Sequence, residues 1–393
     1  MIGGMNRREF IQQAAAGAAI LSSTGRLSAQ TASDKLKVAV IGRTGRGNYG
    51  HNLDVVWKHF DQVRIVAVAD EDEAGRRQAA ERLGVTRQYA DYREMLAKEK
   101  PHIVSIAPRW PDCHREMALA CAEAGCHVLL EKPMCRSLDE ADEIVAAFDR
   151  RGLKLAMAHQ TRYSPTLDKI REFIDAGKLG DIVEIRGRGK EDHRGGGEDL
   201  MVLGVHIMDL MRALAGDPRW CSARVLADSR LVTREDVRDG NEGIGPIAGD
   251  EIHATYRFDK GIMGYFSTRR SKDGAGARYG VQIFGTKGVL AMTMSALPTV
   301  KVLESVTWSP EPGGPNWTVF ASTTEPEPAK EAFGNRLIVE DLIRAIQTGG
   351  QTQCGPRDGR WTIEMIMAAY ESHRLNRPVD LPLENRKHPL SLL

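Results

Sequence analysis

The chain has 393 residues, 42% hydrophobic and 27% charged, and its 54 Lys and Arg against 53 Asp and Glu leave a net charge of +1. That balance excludes a disordered or fibrous chain and gives no bulk electrostatic basis for a nucleic-acid partner. The length accommodates about two domains. Cys113, Cys121, Cys126, Cys135, Cys221 and Cys354 are scattered, without CxxC pairs or His at zinc spacing; they read as buried thiols, with no metal site.

In chain order, residues 1–30 read as a targeting segment. Asn6-Arg7-Arg8-Glu9-Phe10-Ile11 precedes the small, apolar run Ala14 to Leu21, and Ser22-Ser23-Thr24-Gly25-Arg26 follows. A charged start, a short apolar core and a small-residue tail make a secretory signal. The paired arginines resemble the twin-arginine type, which implies passage through the twin-arginine export machinery as a folded protein. Eight apolar residues are too few to span a bilayer, so the expected product is exported and periplasmic or extracytoplasmic, without a stable membrane span, after cleavage near Ala29 or Ala32.

Residues 34–160 alternate strand and helix. Leu36 to Ile41 is a β-branched run ending in the turn Gly42-Arg43-Thr44-Gly45-Arg46-Gly47-Asn48-Tyr49-Gly50, with a helical stretch expected next. Counted from the strand, Gly42, Thr44 and Gly47 take the three fingerprint positions, with Gly45 and Arg46 in the same turn; a literal Gly-x-Gly-x-x-Gly begins later, at Gly45. Glycines let the backbone approach a pyrophosphate at a helix N-terminus. Val63 to Ala69 is a second strand ending at Asp70, an acid that can bind both ribose hydroxyls and repels a 2′-phosphate, favouring NAD over NADP. Helices at Arg76–Leu83 and Tyr92–Lys98, a strand from Pro101 to Ala107 stopped by Pro108, and a helix from Pro111 to Gly125 follow. Then come Val128 to Leu130 with Glu131-Lys132-Pro133 at the strand end, a helix at Leu138–Arg151 and a strand at Leu153–Ala158. This spacing predicts a doubly wound parallel sheet of Rossmann type.

From residue 161 to 380 the pattern changes. After a helix from Pro165 to Ala176, strands such as Ile182–Arg188, Ile252–Phe258, Ile262–Ser267, Val281–Phe284 and Val289–Met292 alternate with tight turns, predicting a large, mostly antiparallel open sheet. Residues 305–330 read as irregular, two helices (Asn335–Thr348 and Thr362–Arg374) follow, and 381–393 is a tail. An open sheet face favours a homodimer or homotetramer. Gly195-Gly196-Gly197 enters a helix with Glu198 or Asp199 near its N-cap; on one continuous helix His206 shares a face with Asp209 and with Asp199.

The glycine-rich turn, Asp70, His114 after Pro108, Glu131-Lys132-Pro133 and Arg162-Tyr163-Ser164-Pro165, in that order, resemble the Gfo/Idh/MocA oxidoreductase family over nearly all of the chain beyond the signal. The resemblance implies an N-terminal Rossmann domain, a C-terminal α/β domain with the open sheet, and a sugar, polyol or sugar derivative as substrate. It places Pro108, His114, Glu131, Lys132 and Arg162 at the cofactor and Lys132, Arg162, Tyr163, His206 and Asp209 at the substrate. Lys132 and His206 are the implied catalytic residues. Val202 stands where many members carry an aspartate, and Asp199, one turn earlier, is the candidate substitute.

The chemistry expected is hydride transfer to or from nicotinamide, with Lys132, whose free pKa near 10.4 burial would depress, or His206 as base. A second reading is redox-neutral glycoside cleavage on a tightly bound, recycled NAD, which suits an exported enzyme. A third is a non-catalytic sugar- or nucleotide-binding protein.

Overall fold

Strand β1 (Leu36–Ile41) is apolar from Val38 onward and buried on both faces, so it needs cover on both sides, which a doubly wound sheet supplies. In the computed structural model, which describes residues 35–271, 278–322 and 327–393, it is central. The export segment expected over residues 1–30 lies outside the described residues.

With β2 (Val63–Ala69), β3 (Gln88–Tyr89), β4 (Ile103–Ile106), β5 (His127–Leu130) and β6 (Leu155–Met157), it makes a six-stranded parallel sheet in the order β3-β2-β1-β4-β5-β6. The order reverses between β1 and β4, and the crevice outside the carboxyl ends at such a point is where ligands bind. The connecting helices start and stop by ordinary capping. Asp72 accepts from the Gly75 amide ahead of Glu73–Leu83, Asp91 caps Tyr92–Glu99, and left-handed Gly84 and Gly152 close the helices before them.

One expectation fails here. The glycine-rich turn is followed by two short 3₁₀ turns, Gly50–Asn52 and Val56–His59, and not by a full helix. Asn48, His51 and Asn52 all have positive φ (51°, 47° and 60°), a conformation no α-helix can pass through.

The second sheet has ten strands. Its main path runs Thr318–Ala321, Val300–Leu303, Gly288–Thr293, Gly280–Gly285, Ile182–Arg188, Met263–Arg269, Glu251–Arg257, Trp220–Ala227, Val379–Asp380, with Arg230–Leu231 paired beside Trp220–Ala227. Ile182–Arg188 and Met263–Arg269 pair in parallel and the other neighbours are antiparallel, so the sheet is mixed but mostly antiparallel. Thr318–Ala321 corrects the irregular reading of 305–330: it finds a partner in Val300–Leu303. Helices Gly204–Ala215 and Pro356–Leu375 cover one face; Arg186, Tyr265, Gln282 and Lys301 stand exposed on the other face.

Helix Pro356–Leu375 also packs on Leu138–Arg151 of the first sheet's layer, so one helix serves both sheets. The segment expected as a tail is held too. Arg386 pairs with Asp142 at 2.6 Å, and Leu390 is buried in the closing turn Pro389–Leu392. Among the described residues no helix is long and apolar enough to cross a membrane.

Candidate active site

Strand β5 stops at Leu130, and Glu131-Lys132-Pro133 follows at the carboxyl edge of the sheet, where the proline has no N–H to continue the ladder. His114, fully buried, fastens this turn: its two ring nitrogens face the carbonyls of Pro133 at 2.8 Å and Pro108 at 2.7 Å. It therefore links the ends of β4 and β5 from beneath. Burial pushes its pKa below the usual imidazole value.

Above the turn lies a cavity of about 370 Å³, within the range of small-molecule sites. His51, Glu131, Lys132, Lys190, His206, Tyr279 and Glu331 line it. Lys132 is 7% exposed, and its Nζ donates to the Val202 carbonyl at 3.0 Å. Burial lowers its pKa, against the opposing charge of Glu131. Glu131 is instead hydrogen-bonded to His51, which keeps it ionised below the usual carboxylate range although burial acts the other way.

His206, half-buried, meets His159 edge to face, with ring centroids 5.1 Å apart and the Nδ1 atoms at 3.3 Å. Burial first, then Lys132 and His159, push the His206 pKa far below 6.5. It is a neutral imidazole at physiological pH.

Asp199 is elsewhere. The helix expected to carry it with His206 is two helices, Gly197–Val202 and Gly204–Ala215, broken at Leu203, so Asp199 and His206 share no face. Asp199 is fully buried and does not line the cavity; its carboxylate accepts from the amides of Lys190 and Glu191, both at 3.1 Å, and from the Thr268 hydroxyl. It organises the 189–191 turn and does not replace the acid missing at Val202.

Arg162, Tyr163 and Asp209 also stand behind the cavity wall rather than in it. Arg162 binds Asp209 at 2.6 Å and reaches Asp358 at 3.4 Å, with both members of the first pair under a tenth exposed. The Tyr163 hydroxyl accepts from the Cys354 amide at 3.2 Å.

At the other end of the crevice, the glycine-rich turn is closed by Arg43–Asn48 backbone pairs at 3.2 and 2.9 Å. Gly42 lies under the Tyr49 ring, and a Cβ on Gly47 would come within 2.5 Å of the Arg109 nitrogen. These two glycines serve close packing within the protein. Gly45, at φ +82° with open space around it, serves the turn itself. Arg46 pairs with Asp112 at 2.6 Å and stacks over Trp110. Asp70, 2% exposed at the end of β2, accepts from the Thr44 amide at 3.0 Å, from the Thr44 hydroxyl at 2.8 Å and from the Asp72 amide at 3.1 Å.

The Asp70 site fits a dinucleotide: an acceptor-only carboxylate bordering a small recess with Gly42 and Met117 suits ribose hydroxyls, which would compete with Thr44 for it. Among the residues sequence reasoning missed, His51 carried a signal, directly following the glycine-rich turn, and His159 sits just past a strand end. Tyr279, Lys190 and Glu331 carried none.

A parallel sheet of this order, with a lysine-bearing cavity at its carboxyl edge, is the arrangement of a dinucleotide-binding enzyme. The family model described as "Oxidoreductase family, NAD-binding Rossmann fold" matches residues 36–159, and its companion, "Oxidoreductase family, C-terminal alpha/beta domain", matches residues 171–381. The chain belongs to this family, the Gfo/Idh/MocA oxidoreductases. It is 27% identical over 357 residues to D-apiose dehydrogenase of Paraburkholderia graminis, covering 86% of this chain and 88% of that protein. It is 25% identical over 354 residues to levoglucosan dehydrogenase of Pseudarthrobacter phenanthrenivorans, covering 81% and 89%. The structure of a levoglucosan dehydrogenase complexed with NADH and levoglucosan superposes with a TM-score of 0.70 at 22% identity, over 89% of this chain and all of that one; the last likeness is one of fold.

Proposed function

We propose that this protein is an exported NAD-dependent dehydrogenase that oxidises a carbinol carbon of a sugar, polyol or sugar derivative. One observation carries the reading: Lys132 and His206, both biased toward their neutral forms, face one cavity of monosaccharide scale at the carboxyl edge of the nucleotide-binding sheet. When bound, the nicotinamide accepts the hydride. The chain's own groups handle the proton and the pose. The Lys132 amine, held by the Val202 carbonyl, accepts the hydroxyl proton as general base. The neutral His206 ring offers a hydrogen bond to the same or a neighbouring hydroxyl. Lys190 and Glu331 supply polar contacts on the wall.

The carbohydrate class is supported by the relatives, a D-apiose and a levoglucosan dehydrogenase. Asp70 supports NAD over NADP. The N-terminal segment supports export, and the exposed second-sheet face, with Tyr265 and Val183 outward, supports a homodimer or homotetramer.

The test is to purify the protein, identify any co-purifying nucleotide by mass spectrometry, and follow NADH formation with a panel of free sugars, polyols and glycosides. NADH formation with one of them is the expected result. A chain that neither retains nor binds NAD(P) overturns the reading, and glycoside cleavage without net NADH replaces it with the redox-neutral one.

A further inference from the structure

We propose that the helix break at Leu203 is the device that orients Lys132, with Tyr279 as the positioning residue that holds the break; the inference takes the dehydrogenase reading above as given. In an unbroken helix the His206 amide would donate to the Val202 carbonyl, four residues back. Here it donates to Leu203 at 3.1 Å, and the Val202 carbonyl accepts from Lys132 Nζ at 3.0 Å instead. The break therefore transfers one main-chain acceptor from the helix to the lysine. It also sets the direction of the turn from which His206 enters the cavity.

Two contacts maintain it. Leu203 sits at φ −119°, ψ −37°, between the helices Gly197–Val202 and Gly204–Ala215. Behind it, Gly204 is packed so closely on Phe266 that a Cβ would lie 3.0 Å from the ring. In front, the Tyr279 hydroxyl donates to the Leu203 carbonyl at 3.0 Å, and both residues line the cavity with Lys132.

An amide carbonyl aims an amine without supplying a full negative charge. The ionisable groups around Lys132 are Glu131 and Glu242, Arg194 and Arg109, the imidazoles of His51, His159 and His206, and, on the cavity wall, Lys190, Tyr279 and Glu331. Glu131, the adjacent acid, is already hydrogen-bonded to His51. Among the described residues Lys132 thus has a fixed direction and no carboxylate bonded to its amine, the arrangement a lysine base requires.

The experiment uses the full-length protein and two variants, with folding checked by thermal melting. Tyr279→Phe is expected to lower kcat about tenfold through misaimed geometry, with NAD affinity unchanged. Val202→Asp, which puts a carboxylate on the residue whose main-chain carbonyl holds the amine, is expected to move the acidic limb of the kcat/KM profile up by about one unit. Wild-type kcat in the first variant together with an unmoved limb in the second overturns the proposal. If the wild type turns over no carbohydrate, or a variant fails to fold, Lys132 is titrated by NMR in lysine-labelled wild-type and variant protein, its resonance assigned with Lys132→Met. A Lys132 resonance whose shift or titration changes in whichever of the two variants folds then upholds the orientation device even where the dehydrogenase reading has failed. One unchanged there, or titrating as a free lysine in the wild type, overturns it.

Discussion

His51 Nδ1 and Glu131 Oε1 meet in the cavity wall, joining the glycine-rich loop to the Glu-Lys-Pro turn across 80 residues of chain. Glu131 is 1% exposed, and the His51 ring beside it is raised above its usual pKa by that carboxylate, against the effect of burial. The pair works as an ion pair, and it gives the buried acid a partner other than Lys132.

A pH dependence of stability follows. The folded His51 pKa lies above its unfolded 6.5, so the contribution is complete below 6.5 and lost as pH rises through the folded value. Glu131, lowered from 4.5, contributes above 4.5 and loses its contribution as pH falls through its own folded value. Since His51 is 38% exposed, solvent screening places the cost of His51→Ala at pH 6 near the lower end of about 1–3 kcal/mol. Melting curves from pH 5.5 to 9 should show the gap to wild type closing as pH rises above 6.5. A constant gap would mean that His51 contributes packing alone.

Lys132→Met keeps most of the side chain's volume and removes the amine. Loss of a general base lowers kcat by roughly 10²–10⁴-fold, while NAD binding, measured by fluorescence quenching, should change little. In the wild type, kcat/KM should rise with pH along a limb displaced to the acidic side of a free lysine, because burial favours the neutral amine. A Lys132→Met enzyme with normal turnover would remove this lysine from the chemistry.

The glycine-rich turn separates two substitutions that look alike in sequence. Gly45→Ala meets nothing within 4 Å and carries only the penalty of a left-handed residue, about 1–2 kcal/mol. Gly47→Ala, also at positive φ, drives a Cβ to 2.5 Å from the Arg109 nitrogen and 2.6 Å from the Trp110 nitrogen, both backbone atoms with little room to yield. Gly45→Ala should bind NAD with near-normal affinity, and Gly47→Ala should lose most binding. Calorimetry on the two variants decides it, and equal affinities would contradict the packing role of Gly47.

Where sequence reading succeeded, the pattern was local. Val38–Ile41 and Val128–Leu130 are continuous apolar runs bounded by turn residues, Ile103–Ile106 is apolar but for Ser105, and Glu251–Arg257 and Met263–Arg269 alternate buried and open positions along their length. Where it failed, a distant residue decided. Leu203-Gly204-Val205 reads as helix, and the break is enforced by Phe266, some sixty positions on. Asp199 reads as a cavity acid, but Thr268 and the amides of Lys190 and Glu191 claim its oxygens. The missing helix after the glycine-rich turn had a local clue that was passed over: Asn48 and Asn52 are residues that tolerate the left-handed conformation.

Arg162 and Asp209 test the division between cavity and wall. The resemblance put both in contact with ligand, whereas the structure binds them to each other at 2.6 Å with Asp209 only 2% exposed. Removing one partner of a buried pair leaves an uncompensated charge, so Arg162→Ala should cost about 3–5 kcal/mol in denaturant unfolding. The pH dependence has a definite sign. Arg162 holds Asp209 below 3.8 against the opposing effect of burial, so the pair's contribution is present above 3.8 and lost as pH falls through the folded value. In Arg162→Ala the unpaired carboxylate is relieved by protonation, so the deficit relative to wild type should shrink on acidification. Arg162→Met with Asp209→Leu, which removes both charges, should recover most of the loss. If Arg162 instead holds cofactor or substrate, the single variant keeps its stability and loses affinity for NAD or sugar, and the double variant recovers neither.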